Sequence, residues 1–139
     1  MVYLLRTKGG KTQVLLQKRG QKTHGCGLWE ASAAGHVDKG ESMTACAVRE
    51  TREEIGVSFT AKDIAFSTII HANSYDTPYY NGHFFVAKWM GEPRICEHDK
   101  CECLEWHDLD NVPTEMFADR NTAIQNFKNK KTYSEVGWN

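Results

Sequence analysis

The sequence predicts a single domain in which β-strands surround one or two helices, as in an α+β fold or a mixed α/β sandwich. Its 139 residues suit one domain with a sizeable core, so we expect residues 1–139 to fold as one unit. Short apolar runs alternate with turn signals along most of the chain, and a helical pattern interrupts them near the middle and near the end.

Strands are predicted at residues 2–5 and 13–17, because two short apolar runs flank the turn signal Lys8-Gly9-Gly10-Lys11. We expect these two strands to be antiparallel neighbours. Residues 20–27 are polar and rich in glycine, which is typical of a loop. A third strand is expected at residues 28–34.

A helix is predicted at residues 42–55, and Gly56 follows it where a left-handed C-cap favours glycine. Its weakly apolar face is formed at i, i+4, i+7 and i+11 spacing by Thr44, Val48, Thr51 and Ile55. We expect that face to pack against a sheet.

The second half of the chain is predicted to add three strands and one helix. The strands are expected at residues 65–70, 82–89 and 102–106, and the helix at residues 118–127. The polar residues 72–81 are interpreted as a loop between the first two of these strands. The residues from Lys128 onward are interpreted as a polar tail.

The composition is ordinary for a soluble globular protein, with 40% hydrophobic and 25% charged residues. The formal net charge of -1 gives no strong attraction to nucleic acid or to an anionic membrane, so neither is expected as a partner. No apolar run approaches the roughly 20 residues of a membrane span. Five cysteines, an odd number, indicate free thiols and a cytoplasmic location.

Three carboxylates are concentrated on one turn of the predicted helix, since Glu50, Glu53 and Glu54 follow i, i+3, i+4 spacing. With the apolar face turned inward, all three would lie on one outer surface. Their mutual repulsion favours a cation, and Mg²⁺ typically combines a few carboxylates with substrate phosphates. The alternative is a solvated face with salt bridges, such as Arg49 with Glu53.

Residues 35–57 resemble the Nudix box of the Nudix hydrolases. The resemblance is carried by Gly35, by Glu41 after five residues and, after seven more, by Arg49-Glu50-Thr51-Arg52-Glu53-Glu54-Ile55-Gly56-Val57. Thr51 is a minor departure, because the family accepts an aliphatic or similar small residue there. The resemblance implies the Nudix fold, an α/β/α sandwich with a mixed central sheet. It also implies a substrate in which a nucleoside diphosphate is linked to a further group.

The resemblance further implies a divalent metal, Mg²⁺ or Mn²⁺, and a role for each matched residue. Glu50, Glu53 and Glu54 would be metal ligands, and Gly35 would offer its backbone carbonyl to the metal. Glu41 and Arg49 would form an ion pair that orients the loop against the helix. The metal would polarise phosphoryl oxygens and activate the attacking water.

Two residues are candidates for the general base that deprotonates this water. The stretch Trp89-Met90-Gly91-Glu92-Pro93 resembles the Trp-x-Gly-Glu-Pro stretch of MutT-like members. On that alignment Glu97 matches a loop glutamate that reaches the metal cluster. Glu53 is the competing candidate, and a solvated loop acid is the alternative interpretation of Glu97.

Three residues outside the box are predicted to bind the substrate. Arg19 stands where MutT-like enzymes have an arginine near the nucleotide, and a guanidinium suits a phosphate or a base edge. Phe117 and Asp119 resemble the aromatic and acidic pair that holds the base in Nudix enzymes that remove 8-oxo-purine triphosphates. The structural alternatives are a surface arginine, a core phenylalanine and an aspartate at a helix N-terminus.

Two further resemblances point to other substrates. Tyr75 resembles a tyrosine that diadenosine polyphosphate hydrolases carry after the box. The stretch Ser32-Ala33-Ala34-Gly35-His36 resembles the version in isopentenyl diphosphate isomerases more than the Pro-Gly-Gly form of MutT-like sequences. Those isomerases need a catalytic Cys and Glu, and Cys26 is the only loop cysteine near this strand.

The sequence therefore predicts a Mg²⁺- or Mn²⁺-dependent hydrolase that cleaves a pyrophosphate bond in a nucleotide. Nucleoside triphosphates, including those of oxidised purines, are the first substrate class, giving a monophosphate and pyrophosphate. Dinucleoside polyphosphates and nucleotide sugars of the ADP-ribose type are the alternative substrates. A catalytically silent nucleotide-binding module is the alternative of another class. A monomer or a homodimer is expected.

Overall fold

The computed structural model describes residues 1–74 and 77–138, which form a mixed sheet with helices on its faces. The elements in chain order are β1 (Val2–Lys8), β2 (Lys11–Arg19), β3 (Trp29–Glu30), α1 (Met43–Ile55), β4 (Ile64–Ser74), β5 (Thr77–Lys88), β6 (Cys101–Asp108), α2 (Ala118–Asn129) and β7 (Tyr133–Val136). Neither helix in these residues is long and apolar enough to cross a membrane.

The sheet follows the order β3-β2-β1-β5-β4-β7, and β6 pairs with β2. Two of its pairings are parallel, β1 with β5 and β4 with β7, and the others are antiparallel. The predicted β1–β2 hairpin is confirmed, and its turn places Gly9 and Gly10 at positive φ, where a side chain would be strained.

Alternate residues of the strands supply two separate cores, one on each face of the sheet. Tyr3, Ile70, Phe84 and Ile124 belong to the core on the α2 face. The core on the α1 face contains Val2, Leu4, Leu15, Ile55 and Phe85. The sheet therefore lies between the two helices, and the predicted α/β/α sandwich is confirmed.

The predicted C-cap of α1 at Gly56 is confirmed, and Ser42, predicted as the first helical residue, is the N-cap. The Ser42 hydroxyl accepts a hydrogen bond from the Ala45 N–H, and Gly56, at φ 69°, donates its N–H to the Arg52 carbonyl. The buried face differs from the prediction, because it consists of Cys46, Ala47, Thr51 and Ile55. Ala47 and Ile55 pack in the core on this face of the sheet, and the buried face is turned toward the side of the helix that carries Glu50 and Glu54.

The predicted loop at residues 72–81 is wrong over its described part. Strand β4 continues to Ser74 and β5 begins at Thr77, with Ala72 opposite Tyr80. Backbone ladder bonds, which residues of any polarity can make, hold this extended hairpin. Tyr75 lies outside the described residues. The predicted strand at residues 28–34 is shorter, with only Trp29 and Glu30 in a strand and a bridge from Ala33 to Val2.

The predicted polar tail contains the edge strand β7, which pairs in parallel with residues 69–72. A buried amide connects it to the core, because Asn126 donates to the Thr68 hydroxyl at 2.9 Å and accepts from the Ser134 hydroxyl at 3.0 Å. All three residues are less than 9% exposed. One polar network therefore joins α2, β4 and β7, and a polar tail gives no apolar pattern by which to predict it.

We expect Asn126→Ala to lower the free energy of unfolding by about 2–3 kcal/mol, because it leaves two buried hydroxyls without their partner. Urea unfolding followed by circular dichroism measures the change. Gln125→Ala, at the exposed neighbouring position of α2, is the control and should change stability by less than about 0.5 kcal/mol. Equal stability of the two variants would contradict the role of this network.

Candidate active site

The guanidinium of Arg49 is the centre of the candidate site. It donates to both carboxylate oxygens of Glu41, from Nε and Nη2, each at 2.9 Å, and Nη2 also donates to the His36 carbonyl at 3.1 Å. This bidentate contact fixes the loop that precedes α1 against the helix. The Arg49 guanidinium, helped by the Asp38 N–H, lowers the pKa of Glu41 to about 2.

The third nitrogen of the same guanidinium lies between two of the predicted metal ligands. Arg49 Nη1 donates to Glu50 Oε1 at 2.7 Å and to Glu53 Oε2 at 3.1 Å. The Glu50 side chain is 15% exposed and that of Glu53 is 48% exposed. A single positive charge therefore offsets much of the repulsion among the carboxylates of this turn.

Gly35 lies against the Glu50 carboxylate at a distance that only glycine permits. A Cβ atom added at Gly35 would stand 1.9 Å from the Glu50 carboxyl carbon. The sequence resemblance predicts a backbone role for Gly35, and the structure adds this steric reason for a glycine.

Glu54 points inward, toward the sheet. Its Oε2 accepts hydrogen bonds from the Ala34 N–H at 2.9 Å and from Gln17 Nε2 at 3.0 Å. Burial raises the pKa of Glu54 to about 7, and the nearby carboxylates of Glu30 and Glu50 add to the shift, although the two hydrogen bonds oppose it. The expectation that all three carboxylates share one outer surface is therefore wrong for Glu54.

The donors of this region fit a hard divalent cation in chemical type, because they are carboxylate oxygens, one of which lies against the backbone of Gly35. In the arrangement that the structure shows, no three His, Cys, Asp or Glu side chains of the described residues lie close enough together to hold an ion. Glu50 and Glu53 instead bond to Arg49. A cation that engaged both would replace that guanidinium nitrogen, and Arg49 would keep its bonds to Glu41 and His36.

The loop that carries Glu97 docks on the C-terminal end of α1. The Cys96 N–H donates to the Glu54 carbonyl at 3.0 Å, and the Arg94 N–H donates to the Ile55 carbonyl at 2.9 Å. Glu97 itself accepts from Lys100 Nζ at 2.8 Å and is 33% exposed on its side chain. The loop is thus attached beside Glu54, while the Glu97 carboxylate bonds within its own loop.

Arg19 forms an ion pair with a residue that the sequence reasoning missed. Its Nη1 donates to Glu30 Oε1 at 2.7 Å, and Glu30 is only 3% exposed. The other oxygen, Oε2, has no hydrogen-bond partner among the described residues and lies 3.6 Å from Arg120 Nη2. Glu30 is a charged residue in the otherwise uncharged segment that was predicted as a strand at residues 28–34, and this could have identified it.

Phe117 packs beneath the glycine-rich loop. Its ring stacks on His24 with centroids 6.2 Å apart, and the guanidinium of Arg120 lies 5.0 Å from its centroid. Gly25 passes so close that a Cβ there would stand 2.3 Å from the ring. A base that stacks on the His24 side of Phe117 would have to displace that imidazole.

Asp119 is 5% exposed and already bonded within the protein. It accepts from the Tyr80 hydroxyl at 2.6 Å and from Arg120 Nη1. Tyr80 and Arg120 were not identified from the sequence, because Tyr80 fell in the predicted loop and Arg120 follows the aromatic and acidic pair. The role of Asp119 toward a base stays a prediction.

Residues 1–127 match the family model of the NUDIX domain. Among curated proteins, the chain is 35% identical over 102 residues to isopentenyl-diphosphate Delta-isomerase 2 of Photorhabdus laumondii, covering 71% of this chain and 56% of that protein. It is 31% identical over 83 residues to the NAD-capped RNA hydrolase NudC of Pseudomonas aeruginosa, covering 60% of this chain and 28% of that protein. The chain thus spans only about half or less of these relatives.

Among solved structures, the fold is similar to that of a MutT NUDIX hydrolase from Burkholderia pseudomallei. The TM-score is 0.74 at 25% identity, and the match covers 89% of this chain and 93% of the other.

We expect the free energy of unfolding, measured with a chelator present, to fall as the pH rises from about 4.5 to about 7, by on the order of 2 kcal/mol. The folded state holds the Glu54 proton more tightly than the unfolded chain, so stability is lost as that proton leaves. Urea titrations at several pH values measure the slope. Glu54→Gln should remove this part of it, whereas Glu115→Gln, at an exposed position, should leave it. Parallel curves for Glu54→Gln and the wild type would contradict the assignment.

Proposed function

Because this chain belongs to the NUDIX family, we propose that it hydrolyses a pyrophosphate bond in a nucleotide with a divalent metal ion. The observation that carries the proposal is the arrangement of Glu50, Glu53 and Glu54 around Arg49 and Gly35. Glu50 lies against Gly35 at a distance that only glycine permits, Glu53 shares Arg49 with it, and Glu54 bonds to the Ala34 N–H next to Gly35. This pattern suits a cation that also binds the oxygens of a diphosphate.

In this proposal Glu50, Glu53, Glu54 and the Gly35 carbonyl would hold Mg²⁺ or Mn²⁺. When bound, such an ion polarises phosphoryl oxygens and lowers the pKa of a bound water. The raised pKa of Glu54 means that a proton competes with the metal for this carboxylate near neutral pH. Arg49 has a positioning role, since it holds the Gly35 loop through Glu41 and His36.

Glu97 and Glu53 are the candidates for removing the proton of the attacking water. The attachment of the Glu97 loop to the Glu54 and Ile55 carbonyls supports Glu97, because it brings the loop to the end of α1 that carries the acidic turn. To act, Glu97 would have to leave Lys100. Glu53 would have to leave Arg49.

Nucleoside triphosphates, including those of oxidised purines, are the first substrate class that we propose. Arg19, Phe117 and Asp119 lie in one connected group with Glu30 and Arg120, which supports a shared role at a nucleoside. Dinucleoside polyphosphates and nucleotide sugars are the alternatives. The two curated relatives are named for isopentenyl diphosphate and for NAD-capped RNA, both of which contain a diphosphate. A substrate panel should therefore include isopentenyl diphosphate.

We expect Glu50→Gln, Glu53→Gln and Glu54→Gln each to lower Mg²⁺-dependent turnover at least about a hundredfold, because each removes a charged ligand of the metal. Phosphate release from a nucleotide panel, after coupling enzymes, measures turnover, and Mn²⁺ binding by electron paramagnetic resonance measures metal affinity. Glu102→Gln is the control, since Glu102 is an exposed glutamate bonded to Lys18. Full activity in Glu53→Gln and Glu54→Gln would reject the metal site. Nucleotide binding without any turnover in the wild type would instead indicate a silent binding module.

The variant Glu97→Gln tests which of the two carboxylates, Glu97 or Glu53, is the general base. If Glu97 is the base, we expect turnover to fall by about 10²- to 10⁴-fold, because the amide cannot accept the proton. Steady-state kinetics over a range of pH measures the loss. Glu92→Gln, at an exposed position of the same loop, should keep its activity. Unchanged turnover in Glu97→Gln would exclude Glu97 and leave Glu53 as the candidate.

A further inference from the structure

Helix α1 covers only part of its face of the sheet. The core beneath it contains Leu4 of β1, Leu15 of β2 and Ala87 near the end of β5. On the opposite face, α2 packs over β4 and β7, and the buried amide of Asn126 joins all three elements. Among the described residues, neither helix packs on the α1 side of β7 or of the adjoining part of the β4–β5 hairpin. That part of the sheet has one covered side and one open side.

Two exposed tyrosines point to the open side, because side chains alternate along a strand. Tyr80 packs on the core of the α2 face, so Tyr79, which precedes it in β5, points to the α1 side. Ser134 bonds to Asn126 on the α2 side, so Tyr133, which precedes it in β7, also points to the α1 side.

Two more exposed aromatic side chains lie on the same side. The Phe66 ring meets the ring of Phe85, a member of the core on the α1 face, edge-on at 6.0 Å. Both chain neighbours of His71 belong to the core on the α2 face, so His71 points to the α1 side. The Trp138 ring lies 4.5 Å from the His71 ring, and its indole N–H donates to the His71 carbonyl at 3.1 Å. We term this surface the open face, and it consists of Phe66, His71, Tyr79, Tyr133 and Trp138.

The open face exposes enough aromatic area for a small protein interface. Its phenylalanine, its two tyrosines and its tryptophan are each between 42% and 69% exposed. With about 150–250 Å² for a whole aromatic side chain, their exposed parts amount to roughly 300–500 Å². A standard interface buries about 800 Å² on each partner, so the rings alone would supply roughly half of one. An association through this surface would therefore be weak and reversible.

The near absence of charge on the open face indicates what kind of partner covers it. The strand positions that alternate to this side include one charged residue, Glu135, whose carboxylate accepts from the Tyr133 hydroxyl at 2.8 Å. A partner of strong charge would need opposite charges on the face. In a two-fold dimer the surface meets itself, so charges on it would lie opposite like charges. A nearly uncharged aromatic surface therefore suits a second copy of the same chain.

We propose that the open face is the interface of a two-fold homodimer, in which it packs against the open face of a second copy. The second copy would lie on the side of the sheet that carries α1. The dimer is independent of the proposed hydrolysis, because no residue of the open face is assigned to the metal or to the nucleotide.

Sedimentation equilibrium of the 139-residue chain over a range of concentrations tests the dimer. We expect a monomer–dimer equilibrium with a Kd on the order of 1–100 μM, because a small interface leaves little free energy beyond the cost of association. Phe66→Lys and Tyr79→Lys should each raise the Kd at least about tenfold, since each would bury an unpaired ammonium group in the interface.

Two further variants and a stability measurement separate dissociation from unfolding. Tyr79→Phe keeps the ring and should change the Kd less than about threefold. Met90→Lys makes the same change of charge at an exposed apolar residue that follows β5 and lies outside the open face, so it should leave the Kd unchanged. Urea unfolding below the Kd compares the folded monomers. Tyr79 is the most exposed of these rings, so Tyr79→Lys remains informative if Phe66→Lys does not fold.

The Kd values decide for or against the open face. A dimer that is weakened in Tyr79→Lys and kept in Tyr79→Phe and Met90→Lys supports the proposal. A wild type that stays monomeric over the whole range overturns it, whatever else covers the open face. A dimer with the same Kd in Tyr79→Lys as in the wild type uses another surface and also overturns it. Failure to hydrolyse any nucleotide would reject the proposed hydrolysis and leave the dimer unaffected.

Discussion

The Arg49 guanidinium is the contact on which the rest of the candidate site depends. One turn of α1 concentrates negative charge from Glu50 and Glu53, and Glu41 adds another carboxylate from the preceding loop. A guanidinium can satisfy all three because its nitrogens point in different directions within one plane. The same group also bonds to the His36 carbonyl, so charge balance and the path of the Gly35 loop have a common origin.

The three glutamates of α1 have different surroundings. Ala47 and Thr51 are buried, and Glu54 bonds to Gln17 of β2 and to the Ala34 N–H. Glu53 remains half exposed beside Arg49. Carboxylates that are chemically identical therefore differ in burial, and this is why burial raises the pKa of Glu54 to about 7.

A second charged group, around Glu30, Asp119 and Arg120, connects β3 with α2. Tyr80 and Phe117 cover it with aromatic rings. This group therefore joins charged and aromatic side chains of β3, β5 and the start of α2.

The sequence by itself determined the acidic turn and the Gly56 C-cap, because each depends on residues close together in the chain. The resemblance to the Nudix box implied the Glu41 and Arg49 pairing and the α/β/α class. Only the tertiary structure decided that Glu54 is buried, that Glu30 pairs with Arg19 and that Asp119 faces Tyr80 and Arg120. The β4–β5 extension, β7 and the Trp138 contact were likewise decided by pairing between distant segments. Such pairing uses backbone groups that every residue carries, so the pattern of side chains along the sequence does not predict it.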